Sequence, residues 1–263
     1  MKNIIVCMKQ VIDPESPISL FHIDSVTNRA IPPKSTPPVM SPFDENALEA
    51  ALKIKDTEEA KVTVISMGRK LARAVVRLNL AAGADELILL EDDSFDDFNT
   101  YFTANVIAQA IKEIGIYDLI LCGIQAADTN AGQVGTGIAN FLGIPCITIA
   151  RKIELSGDKA IVERALPDGF EVAEVQAPVV ITTSYEIGKL RRPGAEGFMT
   201  AGKKPMTVWN SQQLGITTGT IGQVSIRQVY QPTHENRCEM IDGVSPEEKA
   251  IKLAIKLKEA KAI

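Results

Sequence analysis

The sequence predicts an α/β fold: a doubly wound, mostly parallel sheet with an antiparallel extension and a C-terminal arm. Three observations predict it. Between residues 3 and 145, short apolar runs alternate with longer segments of helical period, the pattern of a parallel sheet covered on both faces. The runs Asn3–Met8, Val62–Met67, Glu86–Leu90 and Leu119–Cys122 are nearly continuous apolar stretches, as strands buried on two faces require. After Pro145 the texture changes to partly alternating segments broken by turns such as Ser156-Gly157-Asp158 and Pro167-Asp168-Gly169.

Composition excludes several classes. The 263 residues, 45% hydrophobic and 23% charged, suit one large globular domain with an extension. A net charge of −5 argues against a nucleic-acid surface or an anionic membrane as partner. No apolar run approaches the roughly 20 residues of a membrane span. The opening MKNIIVCMK starts a strand with no signal-type apolar region, and the expectation is a cytoplasmic protein. Cys7, Cys122, Cys146 and Cys238 form no C-x-x-C and read as structural thiols in a reducing compartment. With only His22 and His234, there is little material for a zinc site or a histidine-based triad.

Taken in order, Asn3–Met8 is the first central strand. The loop after it carries Pro14, Pro17, Pro32, Pro33, Pro37 and Pro38, too many for a central strand, and has room for a hairpin around Ile18–Ile23. A long loop at that position is more often functional than idle. Ser41-Pro42-Phe43-Asp44 reads as a helix start: serine cap, proline at the first helical position, acid three residues on. Ala47, Leu48, Ala51, Leu52 and Ile54 give that helix its buried stripe. Val62–Met67 is a strand and Lys70–Ala82 a helix ended by Gly83. Glu86–Leu90 is a strand, and Thr100–Ile114 a helix ended by Gly115. The acidic loop EDDSFDDFN between them has the charge for a metal but no ligand spacing, which favours a solvated loop.

Everything before Pro145 leads to DLILCGIQAADTNAGQVGTGIANFLGIP, Asp118 to Pro145. An apolar strand ends at Gly123. A polar loop follows, and then Gly132, Gly135 and Gly137 lie among small residues that begin a helix. A loop of this kind presents free N–H groups at the positive end of the helix, the physical requirement for holding a pyrophosphate. The alternative is a helix packed tightly on the sheet, with glycines for clearance only. The order is G-x-x-G-x-G, not G-x-G-x-x-G, and no Walker lysine follows. Asp128 would repel phosphate, so it reads as a helix cap or an acceptor for ribose hydroxyls.

Ile147–Leu155, Ala160–Leu166, Phe170–Val175 and Val179–Thr183 read as the antiparallel extension. Gly188–Trp209, with five basic residues and exposed-looking Leu190 and Phe198, reads as neither a regular strand nor a long helix. It is a surface loop or a docking element. Residues 210–244 are rich in Gly, Gln and Thr. Ser245-Pro246-Glu247-Glu248 starts a helix to Ala260 with Ile251, Ala254, Ile255 and Leu257 on one side. The arm packs on its own domain or reaches a second subunit.

At these residues the chain resembles the β subunit of electron-transfer flavoprotein. The resemblance covers essentially the whole chain and is carried by VCMKQVID, MSPFDENALEAALKIK, AAGADELILL, DLILCGIQAADTNAGQVG and KKPMTVW, in that order. It implies a Rossmann-like domain over residues 1–209 that binds an adenine nucleotide, and an arm over 210–263 that contacts an α subunit carrying FAD. It further implies exchange of electrons with an acyl-CoA dehydrogenase or similar redox partner. The implied role is an electron carrier rather than a stand-alone catalyst. The implied nucleotide contacts are Cys7, Ser41, Asp44, Met67 and the run Asp128, Thr129, Asn130, Ala131, Gly132, Gln133, Val134, Gly135 and Thr136. The implied partner contacts are Arg191, Arg192, Ala195 and Phe198. In housekeeping members the nucleotide is AMP. In bifurcating and nitrogen-fixation-type members it is a second FAD that takes a hydride from NADH. SFDDFNTYFTAN, QVG, LCG and KKPxxVW are similar to the second group, so FAD is expected here. Asn99 stands where an aspartate is usual, the arginine common near Asp93 is missing, Leu190 replaces a usual proline, and the usual exposed leucine falls at Ala195. A stand-alone nucleotide-binding protein of the same α/β group leaves the basic loop and the arm without a job. A hydrolase lacks a nucleophile elbow.

Overall fold

A computed structural model describes residues 1–24, 26, 29–32, 36–95, 99–216, 227–231 and 238–263. The middle of the acidic loop (96–98) and two parts of the Gly/Gln/Thr-rich stretch (217–226 and 232–237) lie outside the described residues. The elements run in the order β1 (Lys2–Met8), β2 (Gln10–Val11), β3 (His22–Asp24), β4 (Arg29–Ile31), β5 (Val39–Met40), α1 (Pro42–Thr57), β6 (Ala60–Gly68), α2 (Arg73–Ala82), β7 (Glu86–Glu91), α3 (Thr100–Ile114) and β8 (Leu119–Gly123). Then follow α4 (Val134–Leu142), β9 (Cys146–Ser156), β10 (Lys159–Leu166), β11 (Gly169–Gln176), β12 (Val179–Thr183), α5 (Ala195–Ala201), β13 (Met206–Trp209) and α6 (Pro246–Glu259).

Nine strands form one sheet in the order β11-β10-β9-β12-β8-β1-β6-β7-β13. Along β1 the side chains alternate between two cores. Ile4, Val6 and Met8 join the cluster that includes Ala47, Leu48 and Leu52 of α1 and Leu80 of α2. Ile5 and Cys7 join the cluster that includes Phe102, Ile107 and Ile111 of α3 and Ile138 of α4. Two covered faces therefore explain why the strand reads as an unbroken apolar run. From β1 the chain steps outward through β6 and β7, then returns to place β8 on the other side of β1. That reversal sets the crevice where such sheets bind ligands, beyond the carboxyl ends of the strands.

Several expectations are corrected. β9 pairs parallel with β12, and β12 parallel with β8, so only β10 and β11 are antiparallel additions. β12 is fully buried, the mark of a central strand. Within 188–209, residues Ala195–Ala201 are helical, and Met206–Trp209 pairs with β7 as a parallel edge strand. Leu190 packs against the first core instead of standing exposed. Helix α2 begins at Arg73, not Lys70. The preceding turn is held by Gln10 Oε1, which accepts from Ala72 N–H at 2.6 Å, and by Glu91, which accepts from Leu71 N–H at 2.8 Å. Ser41 does not cap α1 through its side chain. Its Oγ is buried without a hydrogen-bond partner among the described residues. The expected hairpin in the proline-rich loop lies further on, as β3 paired with β4.

The chain divides into two compact units, Met1–Arg227 and Gln228–Ile263. Ser211 stays with the first unit: Asp92 Oδ2 accepts from its N–H at 3.0 Å and from its Oγ at 2.5 Å. In the second unit, Ser245 caps α6 by accepting from Glu248 N–H, and the Glu248 side chain reaches back past the cap to accept from Val244 N–H. Within that unit Ile251, Leu253, Ile255 and Leu257 are exposed. Among the described residues, no helix is long and apolar enough to cross a membrane, and no cluster of His, Cys, Asp or Glu could hold a metal ion.

Candidate functional site

At the reversal of strand order, the first turn of α1 inserts the Asp44 carboxylate between the ends of β1 and β8. Its Oδ2 accepts from Lys9 N–H at 2.8 Å and its Oδ1 from Gly123 N–H at 3.1 Å. Gly123 is needed for this approach, because a Cβ there would lie 2.6 Å from both Asp44 Oδ1 and the Phe43 carbonyl carbon. Burial pushes the Asp44 carboxyl up to about 7, against the two backbone N–H groups and the Lys9 ammonium that pull it down. Beside it, hydrogen bonding with Cys7 and burial push the Cys122 thiol well up, so this thiol is held protonated.

Around these strand ends lies a cleft open to solvent. Of the residues expected to contact a nucleotide, Cys7, Asp44, Met67, Thr129, Ala131, Gly132, Gln133, Val134 and Gly135 line it. Ser41 is buried, and Asn130 and Thr136 lie outside the lining with their side chains turned to Gln125 and the Gln133 carbonyl. Asp128 does not cap α4, whose first turn has no side-chain cap. Instead its two oxygens accept from Lys9 Nζ at 2.7 and 2.9 Å.

The three glycines divide in role. Gly132 has φ +63°, a left-handed turn that glycine adopts freely. A Cβ on Gly135 would stand 2.6 Å from Thr182 Cγ2, and one on Gly137 2.7 Å from Ala104 Cβ, so these two provide clearance against the sheet and α3. Gln133, Val134 and Gly135, at the start of α4, line the cleft, and the first turn of a helix carries N–H groups without intrahelical partners.

Sequence reasoning missed four lining residues of consequence: Lys9, Thr103, Ile107 and Gln125. Thr100, Thr103 and Ile107 share one face of α3 at helical spacing, a signal available in the sequence. Thr103 Oγ1 is shielded from solvent and has no hydrogen-bond partner among the described residues. An orphaned hydroxyl in a cleft wall, a helix N-terminus and apolar walls from Phe95, Ile107 and Met67 together fit a nucleotide.

The expected partner segment separates into locked and free residues. Arg191 is clamped between two carboxylates of α1: Glu49 accepts from its N–H, Nε and Nη2 at 2.9–3.1 Å, and Asp56 from Nη1 and Nη2 at 3.0 and 2.7 Å. Lys204 Nζ donates to the Leu80 and Ala84 carbonyls at the end of α2. Arg192, Ala195 and Phe198 are exposed, and Gly197 lets α5 sit directly on the Ala81 carbonyl.

Fold and cleft define a doubly wound α/β protein with a ligand crevice at its topological switch point. A family model described as electron transfer flavoprotein domain matches residues 34–214. The chain is 42% identical over 221 residues to an electron transfer flavoprotein subunit beta of Thermoanaerobacterium thermosaccharolyticum, covering 84% of this chain and 83% of the relative. It is 38% identical over 262 residues to the caffeyl-CoA reductase-Etf complex subunit CarD of Acetobacterium woodii, covering 98% of each. It is 32% identical over 253 residues to the protein FixA of Azorhizobium caulinodans, covering 91% and 88%. The chain belongs to the electron transfer flavoprotein family, in the line of its β subunits, and its role is electron transfer of that type.

Proposed function

We propose that this chain holds FAD in the cleft between β1 and β8 and works as a heterodimer with a flavin-carrying α subunit. In that complex it passes electrons between NADH or an acyl-CoA dehydrogenase and other redox partners, by flavin-based bifurcation. The observation that carries the reading is the cleft itself, which joins the α4 N-terminus to an unpartnered hydroxyl, Thr103 Oγ1, and apolar walls. Likeness to CarD, named for a caffeyl-CoA reductase-Etf complex, and to FixA supports the bifurcating branch. A bound flavin would supply one- and two-electron redox chemistry. This chain's residues would bind and orient it: Gly132–Gly135 N–H groups toward the pyrophosphate, Phe95 and Thr100 toward the ring end, and Asp44 fixing the strand ends beneath. Residues 210–263 would contact the α subunit, and Arg192, Ala195 and Phe198 would meet the redox partner.

Denaturing the purified heterodimer and separating the released nucleotides tests the cofactor. FAD in excess of the α-subunit flavin, with no AMP, is the expected result. Equal amounts of FAD and AMP would place the chain in the other branch.

A further inference from the structure

Resting on the reading that the cleft holds a phosphate-bearing nucleotide, we propose that Lys9 is the cation that meets the phosphate. Asp128 is its resident substitute, a carboxylate that the phosphate displaces. Lys9 is the single cationic side chain among the described lining residues of the cleft, and Asp44 the single anionic one. Its backbone is pinned on both sides: the N–H donates to Asp44 and the carbonyl accepts from Ser41 N–H at 2.9 Å. Only the flexible four-carbon stem is free to move, which suits a point charge that changes partners.

The Lys9 and Asp128 side chains are 23% and 25% exposed, so exchanging one anion for another requires no opening of the core. Asp128 presents both oxygens to the ammonium, as a phosphate would. It also sits on the loop that continues through Thr129 and Ala131 to the α4 N-terminus, where an anion is favoured. The pair thus removes the objection to an acid beside a phosphate site: without a ligand the acid is neutralised by Lys9, and with a ligand it turns to water.

The test uses the full-length chain stripped of resident nucleotide and titrated calorimetrically with AMP, FAD and adenosine. Lys9→Gln is expected to weaken AMP and FAD by roughly ten-fold or more, the value of a charge-assisted bond, and to leave adenosine unchanged. Lys9→Arg should retain most of the affinity. Asp128→Asn removes the competitor and should tighten AMP and FAD several-fold without changing adenosine. Equal weakening of all three ligands by Asp128→Asn would make the pair a static clasp and overturn the proposal. So would unchanged affinities in Lys9→Gln. A native chain that binds none of the three overturns the nucleotide reading, and the exchange with it. Binding by the native chain that both variants leave unaltered overturns the exchange alone.

Discussion

Helix α1 carries two buried carboxylates, Asp44 at its start and Glu49 little more than a turn later, and they are satisfied in opposite ways. Asp44 is 7% exposed and receives two backbone N–H groups, with no cation bonded to it. Glu49 is 6% exposed and receives the Arg191 guanidinium along with the Arg191 N–H. A buried acid joined to a cation is an anchor: it ties the 188–204 segment to the helix. A buried acid held only by dipoles keeps a carboxyl near neutrality at the floor of a cleft, which is where functional carboxyls are found. Neighbours, not burial, separate the two.

Titration should break this comparison most visibly. Because the folded-state value of Asp44 lies above its ordinary value of 3.8, its contribution to stability is complete below pH 3.8 and lost as pH rises through about 7. The charged neighbours are Lys9 and Asp128. Asp44→Asn should therefore gain on the native chain by on the order of 4 kcal/mol between pH 4 and pH 8.5. Urea unfolding at a series of pH values measures this, and a constant gap would refute it. Next in size, Arg191→Leu leaves Glu49 buried without its cation. It should cost roughly 3 kcal/mol, the low end for such pairs because Arg191 is partly exposed. Denaturation of Arg191→Leu with Glu49→Gln should recover part of the loss. The smallest effect is expected for Gly123→Ala, whose methyl would crowd Asp44 and Phe43, at about 2 kcal/mol. It should also alter the pH dependence that Asp44 sets, whereas Arg191→Leu should add a new one through the unpaired Glu49.

What was legible in the sequence was local. Thr100–Ile114 is a helix with the bounds its pattern gives, because Asn99 accepts from Phe102 N–H at one end and Gly115 closes the other. The strand runs were visible because each is buried on both sides, and the loop Thr129–Gly135 because strand, loop and glycines follow one another directly. The direction of β9 and β12 was not legible, since a short apolar strand reads the same beside a parallel or an antiparallel neighbour. Met206–Trp209 was hidden for a similar reason: an edge strand of four residues among basic turns carries too little pattern, and only β7 gives it partners.

The sequence by itself therefore determined the succession of the main strands and helices before residue 184, the stops at Gly83 and Gly115, the Ser245 cap and the glycine loop, all set by residues within a few positions of one another. Tertiary structure alone decided what the charged residues do. Ser41-Pro42-Phe43-Asp44 looks like a cap, yet Asp44 spends its oxygens on Lys9 and Gly123, separated from it by 35 and 79 positions. Asp128 looks like a cap or a ribose acceptor, yet it finds Lys9 at the end of a strand 119 positions away. Arg191 looks like a surface charge, yet α1 clamps it. Hydrogen-bond partners of a charged side chain are chosen by proximity in space, and at the switch point of a doubly wound sheet that proximity joins chain segments with no shared local pattern.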